Sequence, residues 1–222
     1  ALHMSTSQTV ADRLLRHCYE RGIRTAFGVH GANIEDVYAA APAAGITAVV
    51  AKHEFAAGAM ADGTVRMTGA SSLVLTTSGG GAMNVLPALA ESYDSRVPVL
   101  ALIGSAPRPL VGRGAFQDML SPPDTIDLLG ALMSITGFCT VLDDAADIGV
   151  TMSMVFDTLD RGLPAAVVVP KDIQVQQVSA STELLRATTR ADGGPDLIAP
   201  LASHLRAAAC AGKPICLWLG DE

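Results

Sequence analysis

The chain has 222 residues, half of them hydrophobic and only 17% charged, with a formal net charge of −7. That length holds one good-sized domain plus part of another, and the apolar share ensures a substantial core rather than disorder. The acidic balance leaves no basic footprint for nucleic acid or anionic membrane, and no apolar run reaches the roughly 18 residues of a membrane span.

Taken in chain order, Ala1-Leu2-His3-Met4 ahead of Ser5 reads as a cloning scar. Val10, Leu14, Leu15 and Cys18 mark an amphipathic first helix, followed by a short strand over Thr25–Val29. A helix through Ile34, Val37 and Tyr38 leads to an apolar strand, Ile46–Ala51. Directly after it stands Glu54, and then a helix so rich in Ala and Gly that something must pack close against its backbone. Ser72–Thr76 is the third strand, Ala82–Tyr93 the next helix, and Val97–Ile103 the fourth strand. An irregular Pro- and Gly-rich stretch, Ser105–Pro123, precedes a helix near Ile126–Met133 and a strand near Phe138–Leu142. A helix over Ala145–Leu159 and a sixth strand, Ala165–Val169, complete the pattern, ended by Pro170.

Continuous apolar strands are expected to be buried on both faces, and helices between them predict an α/β fold: a doubly wound, six-stranded parallel sheet with helices on both sides. This domain is expected to occupy 5–178. Ser179–Pro195 is polar, carries Gly193-Gly194-Pro195 and reads as a linker. Residues 196–222 read as the incomplete start of a second α/β domain, with a helix over Leu197–Ala209 and a strand over Ile215–Leu219. Cys18, Cys139, Cys210 and Cys216 lack metal-type spacing and read as reduced thiols of a cytoplasmic protein; no metal site is expected on this chain.

Three loops follow strand ends and therefore share one rim of the sheet, where open α/β folds bind ligands. They are Gly28-Val29-His30-Gly31-Ala32-Asn33, Ser78-Gly79-Gly80-Gly81-Ala82-Met83-Asn84, and Gly112-Arg113-Gly114-Ala115-Phe116-Gln117-Asp118. The triple glycine lacks the spacing of a dinucleotide loop and follows the third strand, and no G-K-[ST] of a phosphate-binding loop occurs.

In order, FGVHGAN, AKHEFAAGAMADG, TTSGGGAMN, VPVLALIG, GRGAFQD and VVVPKDIQ resemble the pyrimidine-binding domain of thiamine-diphosphate-dependent enzymes of the pyruvate oxidase and acetolactate synthase type. The resemblance spans about Ser7 to Gln174. It implies that Glu54 hydrogen-bonds the ring nitrogen N1′ of the cofactor's aminopyrimidine. Gly28, Gly31, Ser78, Gly79, Gly80 and Asn84 are implied as residues lining the cofactor. A carboxyl sharing a proton with N1′ favours the imino tautomer that activates the thiazolium, so the chemistry asks for a desolvated acid. The apolar run before Glu54 and the Ala/Gly helix after it are expected to supply those surroundings. Taken alone, Glu54 also fits a helix-start acid stabilised by the helix dipole.

His30 stands where most relatives carry proline, and resembles a smaller branch typified by benzaldehyde lyase and cyclohexanedione hydrolase. There this histidine and a glutamine matching Gln117 face the substrate, the imidazole moving a proton and the amide holding an oxygen. His30 also fits a loop histidine that caps a turn. His53 is expected to point away from Glu54, and His17 and His204 read as helix-surface positions.

The family's Gly-Asp-Gly and Asn-Asn motifs, which hold the diphosphate and Mg²⁺, are missing; Gly220-Asp221-Glu222 is only a look-alike. The resemblance therefore implies half of an active site, with Mg²⁺ on a partner domain and a homo- or hetero-oligomer of at least two subunits. Either a split subunit or a fragment of a longer chain fits. The expected activity is that of a lyase or carboligase acting on acyloins, diketones or 2-oxo acids. Acetolactate-type condensation is the alternative, and a regulatory subunit that keeps the fold, or a plain nucleotide-binding domain, are the non-catalytic readings.

Overall fold

A computed structural model describes residues 8–178 and 198–215. These belong to two compact units, the first containing 8–178 and the second 198–215. The first opens with β1 (Gln8–Thr9) and α1 (Val10–Glu20). Thr9 caps α1 reciprocally with Asp12: its hydroxyl accepts from the Asp12 amide at 3.1 Å, and its own amide donates to the Asp12 carboxylate at 3.0 Å. Then follow β2 (Thr25–Gly28), α2 (Glu35–Ala44), β3 (Thr47–Val50), α3 (Glu54–Thr68), β4 (Ser72–Thr76) and α4 (Gly80–Asp94). The rest of the unit is β5 (Val99–Ser105), α5 (Leu128–Met133), β6 (Phe138–Val141), α6 (Ile148–Asp160), β7 (Ala165–Pro170), α7 (Lys171–Gln174) and β8 (Gln177–Val178).

Six strands form one parallel sheet in the order β3-β2-β4-β5-β7-β6, while β1 and β8 pair antiparallel as a separate clasp of the two ends of the unit. The sheet is doubly wound, as its sequence predicts. Leu73, Leu75, Leu100, Leu102 and Val167 face the layer of α1, α2 and α6. Their neighbours Val74, Val99, Ala101, Ile103 and Val168 face α3, α4 and α5. Each fully buried Leu or Ile contributes about 1.5–3 kcal/mol of transfer free energy, so these alternating rows supply most of the drive for collapse.

Burial on both faces holds for β4, β5 and β7 but not for β3. β3 lies at the sheet edge with a neighbour on one side only, leaving Val50 66% and Val49 37% exposed. The desolvation of Glu54 therefore comes from α4 and its loop rather than from the preceding strand. His17 is also not at the surface: it is 2% exposed within α1, and burial holds its pKa below the usual value with Glu20 opposing. In the second unit, α8 (Ile198–Cys210) matches the expected helix. The linker, the first four residues and 216–219 of the expected last strand lie outside the described residues, and Ile215 is not in a strand.

The small residues of α3 are explained by α4. Glu54, Gly58 and Asp62, one turn apart, meet Asn84, Ala88 and Ser92, also one turn apart. Asn84 Nδ2 donates to Glu54 Oε2 at 3.0 Å and Ser92 Oγ to Asp62 Oδ2 at 2.8 Å. Between them, a Cβ on Gly58 would stand 2.5 Å from the Ala88 Cβ. The helices thus run side by side in register, with two polar rungs around a rung that only glycine admits.

This ladder predicts opposite effects for two glycines of one helix. Gly58→Ala is expected to lower stability by about 1–3 kcal/mol through overpacking. Gly63→Ala, whose Cβ would meet nothing within 4 Å, is expected to raise it by about 0.5–1 kcal/mol through helix propensity. Urea unfolding of both variants reads the difference; two stabilising substitutions would mean that the helices are free to separate.

Candidate functional site

The order of the strands places a topological switch between β2 and β4. β2 leads through α2 to β3 on one side, and α3 crosses back to β4 on the other. Because all six strands are parallel, the loops after β2, β3, β4 and β5 gather on one rim, outside the point where the chain diverges.

Glu54 begins α3 on that rim and is 8% exposed. Its helix start is closed by His53, whose Nδ1 accepts from the Phe55 amide at 3.1 Å; His53 is thus a cap pointing to solvent. The two oxygens of Glu54 differ. Oε2 accepts from Asn84. Oε1 lies beside Gly81, where a Cβ would come within 3.1 Å of it and within 2.8 Å of Thr76 Oγ1. No donor among the described residues reaches Oε1, so glycine at 81 keeps one carboxylate oxygen open toward the rim.

Tyr38 backs the same corner. Its phenol is pushed up to about 12, first by burial and second by the Glu54 charge. Its hydroxyl donates to the Leu75 carbonyl at 3.5 Å, and lies where a Cβ on Gly28 would stand, at 2.1 Å. Gly28 also accepts from the Ala51 amide at 2.8 Å, which ties the rim ends of β2 and β3 together. His30 is exposed and leans on the Tyr38 ring, centroids 5.0 Å apart at 49°. Gly31 packs on Thr77, leaving 2.6 Å for a side-chain carbon.

The third loop reaches across to the second. Gln117 adopts φ 59°, a left-handed conformation costly for a side-chain-bearing residue, and lies over Gly79, itself at φ 68°. A Cβ on Gly79 would fall 2.7 Å from Gln117 Cγ. Ser78 Oγ donates to Gln117 Oε1 at 3.5 Å. Asp118 holds the loop in this form, accepting from the Gly112 and Leu120 amides at 2.7 and 2.9 Å and from Ser121 Oγ at 3.1 Å. Burial would raise the Asp118 pKa, but these three donors outweigh it and hold the carboxyl below its ordinary range. Gln117, Asp118, Ser121 and Asp124 also line a cavity of about 290 Å³ within this one loop, whose lining includes neither Glu54 nor His30.

Of the residues singled out in the sequence, Glu54 and Asn84 meet directly, as do Ser78, Gly79 and Gln117, while Gly28 and His30 share Tyr38. Gly80 opens α4 at the surface, and a Cβ there would touch nothing. Sequence reasoning missed Tyr38, Asn33 and Gly81. Gly81 sits inside a glycine triplet and Asn33 inside a loop, so only the fold reveals which neighbour each one serves.

Residues 8–128 match the family model described as thiamine pyrophosphate enzyme, N-terminal TPP binding domain. Among curated proteins, the acetolactate synthase isozyme 3 large subunit of Escherichia coli is 33% identical over 166 residues, 73% of this chain and 28% of that protein. The isozyme 2 large subunit of the same organism is 32% identical over 157 residues, 70% of this chain and 27% of that protein. A probable acetolactate synthase large subunit of Methanocaldococcus jannaschii is 31% identical over 166 residues, covering 74% and 27%. The chain thus spans little more than a quarter of the length of the relatives it matches. No helix among the described residues is long and apolar enough to cross a membrane.

The Asp118 clamp has a pH signature. A carboxyl whose folded pKa is depressed stabilises its loop above the unfolded pKa and loses that contribution as pH falls through the folded value. The Gly112 and Leu120 amide proton resonances are therefore expected to titrate with a midpoint below 3.8, the ordinary value. Asp118→Asn should abolish the titration. A midpoint at or above 3.8 would show that the clamp does not favour the anion.

Proposed function

The chain belongs to the thiamine pyrophosphate enzymes, as their N-terminal TPP-binding domain, and from that membership we propose that it is the pyrimidine-binding half of an enzyme that makes or breaks a C–C bond beside a carbonyl. The observation that carries the proposal is the asymmetry of Glu54: one oxygen fixed by Asn84, the other bare above a glycine that cannot be replaced without filling the gap. A buried acceptor fixed in direction at a sheet switch point suits a ring nitrogen that shares a proton with it.

Thiamine diphosphate, when bound, supplies the electron sink that lets such a bond break or form. Glu54 holds the proton at Oε1, and Asn84 prevents the carboxylate from turning away. Gly28, Gly31, Ser78, Gly79 and Gly80 keep the rim low enough for a flat ring to lie against backbone. His30, exposed on the same rim, exchanges a proton with a substrate oxygen. Gln117 donates a hydrogen bond to that oxygen without adding charge. The diphosphate and its Mg²⁺ are held by another domain or subunit, so the working form is at least a dimer, in the cytoplasm.

A second reading, acetolactate-type condensation of 2-oxo acids, is supported by the names of the relatives above. His30 supports the first, in which acyloins or diketones are cleaved or joined. Supplying pyruvate, benzoin and cyclohexane-1,2-dione to the assembled protein with thiamine diphosphate and Mg²⁺ separates them by product. Glu54→Gln is expected to lower turnover by about 10²-fold or more and to weaken cofactor binding measured by calorimetry. No turnover of any of the three, together with thiamine diphosphate binding that ignores Glu54→Gln, would sink the catalytic proposal.

A further inference from the structure

A line of buried amides runs along the rim from β7 to the third loop. It starts at Gln174, which is wholly buried in α7. Both of its N–H bonds are used: Nε2 donates to the Val169 carbonyl at 2.8 Å and to the Asn33 carbonyl at 2.7 Å. Asn33 is 6% exposed, in the loop after β2. Its own amide donates to Thr77 Oγ1 at 3.3 Å, and its side-chain Nδ2 donates to Ser78 Oγ at 2.7 Å. Ser78 is wholly buried after β4 and passes its single proton to Gln117 Oε1. The backbone of Asn33 is pinned from behind as well, since a Cβ on Gly104 in β5 would fall 1.8 Å from its carbonyl oxygen.

The series has one direction. A hydroxyl carries one proton, so once Asn33 fills a lone pair of Ser78 with an N–H, that proton is free to go forward. Gln117 must then meet it with its carbonyl oxygen. A carboxamide has its oxygen and its NH₂ on opposite arms, so fixing the oxygen on Ser78 leaves the NH₂ over Gly79, where a Cβ would fall 2.9 Å from Nε2. The buried acceptor of Gln174, Oε1, has no partner among the described residues. Its orientation is dictated by the two carbonyls in front of it, at the cost of leaving that oxygen dry.

We propose that Asn33, backed by Gln174 and acting through Ser78, is a positioning residue that sets the direction of the Gln117 carboxamide, so that the rim offers N–H donors and selects substrates with an acceptor oxygen, a carbonyl or carboxylate, at that point. The proposal deepens the thiamine reading and rests on it for the role of Gln117 toward substrate, but not for the direction of the amide. The Ser78–Gln117 link is the longest of the series at 3.5 Å. Active-site hydrogen bonds of this kind shorten when the ligand arrives, and a bound oxygen drawing on the Gln117 NH₂ strengthens the acceptor at its other arm.

Side-chain amide NMR of the ligand-free protein, labelled at asparagine and glutamine nitrogen, tests the direction directly. Ser78→Ala is expected to move the Gln117 NH₂ resonances, and Asn33→Leu to move them too, although Asn33 acts on Gln117 only through Ser78. If Asn33→Leu does not fold, Asn33→Asp decides, because its carboxylate takes the Ser78 proton that otherwise goes to Gln117. Gln117 resonances that stay in place in every folded variant would overturn the proposal. The kinetic counterpart uses whichever of pyruvate, benzoin and cyclohexane-1,2-dione is turned over. Ser78→Ala and Gln117→Ala should each raise KM about tenfold, the loss of one hydrogen bond, and the double variant should be no worse than either. Effects that multiply to about a hundredfold would show that the two residues act separately, against the proposal. If the unaltered protein turns over none of the three, the thiamine reading falls by itself, while the ligand-free spectra still decide how Gln117 is held.

Discussion

Helices α3 and α4 approach so closely that a single methyl group at Gly58 would strike Ala88. The contact between Glu54 and Asn84 depends on that spacing. With Asn84 one turn before Ala88 and Glu54 one turn before Gly58, closing the small-residue rung brings a donor to a carboxylate at 3.0 Å. The rung on the other side, Ser92 to Asp62, resists sliding of one helix along the other by a full turn or by a single residue. Arg66 adds its guanidinium to Asp62 and so keeps that buried acid from standing alone. Backbone proximity is thus converted into the direction of one carboxylate oxygen.

The opposite side of the rim is held by different physics. There, buried amides and the Ser78 hydroxyl link the ends of β2, β4 and β7 and reach the loop after β5. Such a string is satisfied only when each donor finds its acceptor, and removing one member strands the next, which makes it directional where packing is not. Lys171 reinforces its start. It donates to the Ala32 carbonyl at 2.9 Å and pairs with Glu35 and Asp36 at the head of α2. These pairs are partly exposed and contribute modestly to stability, but they close the loop that carries His30 and Asn33.

How legible this was in the sequence follows from which forces are local. β4, β5 and β7 read correctly because burial on both faces leaves an unbroken apolar run, and their helices followed from periodicity. β3 carries the same kind of run yet lies at an edge, since strand order is decided by crossover connections that leave no trace in a strand's own composition. Position 17 looked like a polar point on a helix face, but α1 packs under both α2 and α6, and its buried arc is wider than one stripe. Glu54 was legible because a carboxyl ahead of a small-residue helix is chemically unusual. Asn33, Tyr38 and Gln174 were not, since an amide or a phenol gains its meaning from a partner 37 to 141 positions away.

The separation of these two supports has a consequence for how chemistry varies on this frame. Glu54 is tied to Asn84, Gly81 and Tyr38, all buried or half-buried, and a change at any of them must be absorbed by packed helices. His30 leans on the Tyr38 ring and is exposed. A substitution there leaves the ladder, the amide string and the Gly28 contact untouched. The Glu54 corner therefore lies in the part of the rim that cannot yield, and His30 in the part that can. Exchanging the residue at position 30 removes no buried polar partner among the described residues, only the contact of one ring with another.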